Sequence, residues 1–308
     1  MTPALSGPQR AALLAHLRQA RRPEVGDPAP EPTGERWGPV TLLAEGAGRR
    51  PLFLVHAVGG TTFGYVALAR ELSGTFRTYG IEADDPANGT APATGLHDMV
   101  TRYTDAIRRV CPAGPFGLGG WSLGGLVAFE IARRLQSDGE TVAPLVLIDT
   151  ATHYVRPADP DIGPAFVVDV ARSMGWDGTG FAGDRDGGLA RLAQRLAGQG
   201  TGPGDGPTDP GTVRAHLERR FRVYDSLMRA VDGYRPTGSV RADAVVACAA
   251  RSPNTAEDWC AAIDGTVRLL HLSADHYRCL TPPYVRQLAD AIRAKFDPPG
   301  SVHRGGRP

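Results

Sequence analysis

Short apolar runs alternate with helical patterns along most of this chain. The runs PVTLLAE, PLFLV, PFGLGGW, LVLI, DAVVACAA and TVRLLHL are bounded by glycine, proline or charged residues. Runs of that length and bounding read as strands. Between them, TFGYVALARELSG, LGGLVAFEIARRLQ and PYVRQLADAIRAKF repeat apolar residues at three- and four-residue spacing and predict helices. This alternation predicts an α/β fold, a mostly parallel sheet with helices on both faces. The stretch 152–236 breaks the rhythm. It shows no clear strand and three helical patterns, GPAFVVDVARSMGW, GGLARLAQRLAG and TVRAHLERRFRVYDSLMRAVDGY. Between the last two lies GQGTGPGDGPTDPG, a flexible spacer by composition. So long an insertion before the penultimate strand predicts a helical lid. The plainer reading is a helical cap with no gating role. At the start, LSGPQRAALLAHLRQARR predicts a basic amphipathic helix and PEVGDPAPEPTGER a proline-rich linker. The expected division is 1–36 for these, 37–296 for the α/β body with its insertion at 152–236, and 297–308 for a disordered tail.

One strand-to-helix junction carries candidate chemistry. PFGLGGW passes into LGGLVAFEIARRLQ through Gly120-Trp-Ser-Leu-Gly124, a G-x-S-x-G pattern centred on Ser122. With 39 glycines among 308 residues the pattern alone is weak. Its strand–turn–helix context is what a nucleophile elbow requires, and the flanking glycines let the turn tighten. The alternative is a tight turn holding an inert serine. A serine hydroxyl is a weak nucleophile and needs a histidine to take its proton and an acid to orient that histidine. On an α/β-hydrolase scaffold these follow in the order serine, acid, histidine. The run LVLI delivers Asp149 at its end, where open α/β sheets place their sites. Its plainer role is a helix cap.

Eight histidines compete for the base. His16 and His303 lie in the terminal segments. His97 and His216 fall in polar helical stretches and read as solvated. His153 opens the segment after the acid, and His271 reads as a packed strand residue in TVRLLHL. His276 comes in SADHYRCLTPP, between the last strand and the last helix, where a base is best placed. The plainer reading is a loop histidine beside Asp275. A tetrahedral oxyanion also needs two donors. The N–H of Leu123, after the serine, is the first. The turn HAVGG after PLFLV offers Val58 as the second, with Gly59 close behind. His56 precedes the serine and reads as a buttress of that turn.

HAVGG, GWSLGG, LVLIDT and DHYRCL together resemble the thioesterase domains that end polyketide and nonribosomal peptide assembly lines, from about Trp37 to Phe296. The resemblance implies an α/β-hydrolase fold and a serine hydrolase or acyl transferase. Ser122 would be the nucleophile, Asp149 the acid, His276 the base, and Val58 and Leu123 the oxyanion donors. It implies an acyl, polyketide or peptidyl chain taken from the phosphopantetheine of an acyl or peptidyl carrier protein and released by hydrolysis or cyclisation. No cofactor beyond that carrier-borne group is implied. Two departures stand out. The early turn commonly carries proline where Ala57 stands here. Related discrete editing thioesterases take their acid after the following strand, which makes Asp258 in RSPNTAEDW the rival acid. On the lid, Val213, Leu217, Phe221, Tyr224, Leu227, Met228 and Val231 form an apolar stripe. It serves the core or lines an acyl tunnel. Arg214, Arg219, Arg220 and Arg222 beside it read as a solvated face, or as contacts for a phosphate or an acidic carrier protein.

Composition bounds the rest. A length of 308 residues allows one large domain with an insertion. A net charge of +1 gives no footprint for nucleic acid. No apolar run approaches the ~18 residues of a membrane span, and AALLAHL is cut by His16 and Arg18, unlike a signal peptide. Cys111, Cys248, Cys260 and Cys279 show no short paired spacing for zinc or redox work, and no metal motif or P-loop is present. A cytoplasmic enzyme acting in trans is expected, its N-terminal helix docking on an assembly-line partner or standing as a linker remnant. Three other readings remain: a discrete editing thioesterase, a general carboxylesterase for small esters, and a hydrolase-like binding protein without catalysis.

Overall fold

The computed structural model describes residues 36–46, 50–85, 91–156, 161–198, 209–250, 252 and 256–296. The expected N-terminal helix, most of the proline-rich linker, most of the glycine-rich spacer and the C-terminal tail lie outside the described residues.

Eight strands form one sheet: β1 (Arg36–Trp37), β2 (Val40–Ala44), β3 (Arg50–Val55), β4 (Phe76–Ile81), β5 (Phe116–Trp121), β6 (Val142–Ile148), β7 (Ala244–Ala249) and β8 (Val267–Leu272). Their order is β1-β2-β4-β3-β5-β6-β7-β8. The two ladders made by β2 are antiparallel and all others parallel. The mostly parallel sheet of the sequence reading is therefore present. Strand β4 was not expected. Its sequence FRTYGI breaks the apolar run with Arg77, Thr78 and Gly80, yet it pairs with β3 along its whole length.

Strands buried on both faces need helices on both faces. Successive residues of β3 point oppositely: Phe53 and Val55 enter one core, Leu52 and Leu54 the other. The first core is closed by α2 (Leu96–Val110) and α3 (Leu123–Ser137). The second is closed by α1 (Val66–Leu72) and α8 (Tyr284–Phe296). A short helix, α7 (Ala256–Ala262), follows β7.

Between β6 and β7 run α4 (Gly163–Ser173), α5 (Arg185–Ala197) and α6 (Pro210–Ala230). These are the three helices the periodicity predicted. They enclose a separate core of Phe166, Leu189, Leu192, Val213, Leu217 and Tyr224, with Val58 and Phe63 of the body packed against it. The α6 stripe divides between two tasks. Val213, Leu217 and Tyr224 join the lid core, whereas Leu227 and Val231 join the sheet core.

Candidate active site

Ser122 alone makes the turn between β5 and α3. Its backbone sits at φ +56°, ψ −127°, a conformation that side chains rarely adopt. Its N–H donates to the Ile148 carbonyl at 2.9 Å, pinning the turn to the end of β6. The glycines around it are required by close approach. A Cβ on Gly120 would meet the backbone of Gly124, and one on Gly124 would meet the carbonyl oxygen of Val55. The turn can therefore pack flush on β3, which leaves Ser122 at the N-terminus of α3, on the wall of a cavity. The Tyr65 hydroxyl ties the same region together. It donates to the Val55 carbonyl at 2.6 Å and accepts from the Trp121 N–H at 2.8 Å. No pattern in the sequence distinguished Tyr65 from its helical neighbours.

Asp149 directly follows β6, also at positive φ, +43°. Its carboxylate is fully buried. One oxygen accepts from the Ala249 N–H at 3.1 Å and the other from His276 Nδ1 at 2.6 Å. Burial alone would raise its pKa. The hydrogen bonds from His276, the Ala249 amide and the Ser252 hydroxyl outweigh that and hold the carboxyl below its ordinary range. An ionised carboxylate only accepts, so Nδ1 of His276 carries the proton of this bond, and Nε2 is the ring nitrogen left to exchange a proton with a substrate or nucleophile. Ser122 and His276 line the same cavity.

His276 opens a single 3-10 turn after β8. Asp275 caps that turn by accepting from the N–H groups of Tyr277 and Arg278 at 3.0 and 3.1 Å. The neighbouring carboxylate is thus used on the backbone, while the imidazole reaches Asp149. Trp121 stacks obliquely on the ring with centroids 4.8 Å apart, and its indole N–H donates to the His276 carbonyl at 3.1 Å. The rival Asp258 lies elsewhere. It is exposed on α7, where it accepts from the Thr152 hydroxyl at 3.3 Å.

Leu123 is the first residue of α3, so its N–H is among those with no intrahelical acceptor. The second expected donor lies in the turn after β3, where Gly60 N–H returns to the Ala57 carbonyl at 2.8 Å. Val58 and Gly59 both line the cavity. His56 lies beneath this turn, fully buried. Its Nδ1 contacts the Ala57 carbonyl at 2.7 Å and its Nε2 the Tyr103 hydroxyl at 2.8 Å. A carbonyl only accepts, so Nδ1 carries the proton and the phenol donates to Nε2. Burial lowers the His56 pKa from 6.5 to about 4, which keeps the ring neutral near pH 7.

Three residues differ from their sequence reading. His216 is buried on α6 and lines the cavity, with Nδ1 2.8 Å from the Arg219 guanidinium. Arg220 is likewise buried. It donates to the Gly59 carbonyl and faces Asp85 at 3.7 Å, so a lid helix is tied to the turn that holds Val58. The polar helix pattern hid both, because a lid helix packs on two neighbours and buries more than one face. His271 is exposed, since β8 is the edge strand. Of the other arginines, Arg222 is exposed and Arg214 bonds Glu218 on its own helix at 2.9 Å. His97 is exposed, and partly buried His153 lies 3.2 Å from the Tyr234 carbonyl.

The cavity has a volume of about 140 Å³. Apolar lid residues, among them Phe166, Met174 and Leu217, form its far wall. Asp169 of α4 also lines it, a residue that the sequence reading passed over. The signal was present: Asp169 lies three positions beyond Phe166 and four before Ser173, both of which line the cavity. Among the described residues no cluster of three or more metal-ligating side chains occurs, and no helix is long and apolar enough to cross a membrane.

The family model described as Thioesterase domain matches residues 50–170. Malpinin synthetase of Mortierella alpina is 41% identical over 115 residues, covering 37% of this chain and 2% of the synthetase. The non-reducing polyketide synthase atnG of an Arthrinium species is 29% identical over 252 residues, covering 79% of this chain and 12% of the synthase. This chain thus spans a small part of the curated relatives it matches. Among solved structures, the Vlm2 thioesterase domain bound with a dodecadepsipeptide superposes with a TM-score of 0.61 at 22% identity, over 85% of this chain and 99% of that one. That likeness bears on the fold.

Proposed function

We propose that this chain, similar to thioesterase domains and to polyketide and nonribosomal peptide synthetases, releases an acyl, polyketide or peptidyl chain from a carrier protein through an ester on Ser122. The observation that carries this reading is the 2.6 Å bond between Asp149 and His276 at the cavity that Ser122 also lines. In the proposed cycle, Nε2 of His276 takes the Ser122 proton as the hydroxyl oxygen attacks the thioester carbonyl. The oxyanion accepts hydrogen bonds from the N–H groups of Val58 and Leu123. Collapse breaks the C–S bond, and His276 hands its proton to the departing pantetheine thiol. Water, or a hydroxyl or amine of the chain itself, then attacks the seryl ester. Its proton passes to His276 and from there back to Ser122. Asp149 keeps the imidazole in the required tautomer and offsets the charge it gains. The cycle uses no bound cofactor, since the phosphopantetheine belongs to the carrier protein. The partner is an acyl or peptidyl carrier protein, and the setting is the cytoplasm. The helices α4 to α6 act as a lid that excludes water from the ester.

A fluorophosphonate probe tests the nucleophile and its acid together. Wild type is expected to take one phosphonyl group on Ser122, and Ser122→Ala none. Asp149→Asn presents the wrong tautomer to the serine and should lower kcat by about 10⁴-fold, whereas Asp258→Asn should label and turn over as wild type does. Labelling that persists in Ser122→Ala refutes the reading. A harmless Asp149→Asn beside an inactive Asp258→Asn refutes the choice of acid.

A further inference from the structure

The cavity is apolar on most sides, with one anionic side chain among its lining residues. Asp169 reaches it from α4, beside Phe166, Val170 and Met174. Its position is at the reacting end. The Tyr277 hydroxyl donates to Asp169 Oδ1 at 2.8 Å, and the Tyr277 ring lies edge-on to His276 with centroids 5.3 Å apart. A carboxylate in such surroundings is costly unless charge compensates it. Burial indeed pushes its carboxyl above the ordinary range, and the Tyr277 bond and the fields of His276 and Arg172 oppose that only in part.

The candidate counter-charges within the protein are otherwise placed. Arg172, one turn along α4, is exposed and outside the cavity lining, and it reaches Asp169 through the Tyr277 hydroxyl that it bonds. Arg220 lines the cavity, but its guanidinium is directed to the Gly59 carbonyl and to Asp85. His276 is bonded through Nδ1 to Asp149, which already supplies its carboxylate partner. Asp169 is therefore a carboxyl group in the cavity wall whose Oδ1 is held by the Tyr277 hydroxyl, and a cation entering the cavity would favour its ionised form.

Resting on the release function proposed above, we propose that this cavity selects an acyl chain bearing an amine near its thioester carbonyl, with Asp169 as the group that binds the ammonium. An ammonium on the second or third carbon of the chain supplies the missing charge and donates to the carboxylate. A hydrocarbon of the same shape supplies neither the charge nor the donor. Asp169 then acts on specificity and takes no part in proton transfer.

The test separates binding from turnover. Two pantetheine thioesters of nearly equal shape, 3-aminobutyryl and 3-methylbutyryl, are titrated calorimetrically into full-length Ser122→Ala, which cannot form the acyl-enzyme. The amine is expected to bind about tenfold tighter or better. In Ser122→Ala/Asp169→Asn the two affinities should converge, because the amide keeps the Tyr277 bond and loses the charge. Tyr277→Phe in the same background should retain the preference. Equal binding of the two ligands to Ser122→Ala overturns the proposal, as does a preference that survives Asp169→Asn. The release reading fails by a different result, wild-type enzyme that turns over neither thioester, and the binding ratio stands or falls apart from it.

Discussion

Asp149 and His56 are both fully buried and both titratable, yet their surroundings move them to different ends. Hydrogen bonds outweigh burial at Asp149, and its carboxyl is held below the ordinary carboxylate range. The stability those bonds contribute is present above that range and is lost only as pH falls through the lowered folded value. Burial dominates at His56, whose pKa falls from 6.5 to about 4. An unfolded chain takes up a proton there that the folded chain refuses, so stability falls as pH drops from about 6.5 and levels off below about 4. The loss amounts to about 3 kcal/mol. Urea unfolding across that window should show it in wild type and lack it in His56→Asn. Identical pH profiles for the two proteins would refute the neutral buried imidazole. The contrast also shows what was readable. Ser122, Asp149 and His276 stood out because each ends or follows a strand-like run. His216, Arg220 and Asp169 did not, because their burial depends on which surfaces the lid helices cover.

The junction of β5 with α3 is the element on which the site depends. Its geometry is set by a glycine whose Cβ would occupy the place of the Val55 carbonyl. Gly124→Ala should therefore lose about 3 kcal/mol of stability, because the obstacle is backbone and cannot swing aside. Gly74, with nothing near a added Cβ and no positive φ, is the control. Gly74→Ala should leave the thermal midpoint unchanged or slightly raised. Equal midpoints for the two variants would mean that the elbow packs more loosely than described. The junction was legible because its pattern and its flanking periods agreed. Strand β4 was not, since half of FRTYGI is polar or glycine and only pairing between β2 and β3 reveals it. The apolar stripe of α6 was seen as a stripe, but period alone does not say that it packs against two cores.

At the scale of the whole molecule, one sheet brings together residues far apart in the chain. Ser122 follows β5, Asp149 follows β6 and His276 follows β8, all at the carboxyl ends of the strands, and residues of α4, α5 and α6 line the cavity with Ser122 and His276. Arg220 links α6 to the turn bearing Val58, so the helices between β6 and β7 are tied to the turn proposed to hold one oxyanion donor. The order of elements made this convergence predictable. The shape of the cavity came from the packing of α4 and α6 on that turn, which no local pattern encodes. The most direct measurement compares kcat/KM for one acyl group carried as a pantetheine thioester and as the matching oxygen ester, with Ser122→Ala as control. A strong thioester preference, abolished in Ser122→Ala, is the expected result. Equal or better cleavage of the oxygen ester, or turnover that survives in Ser122→Ala, would contradict release from a carrier protein through Ser122.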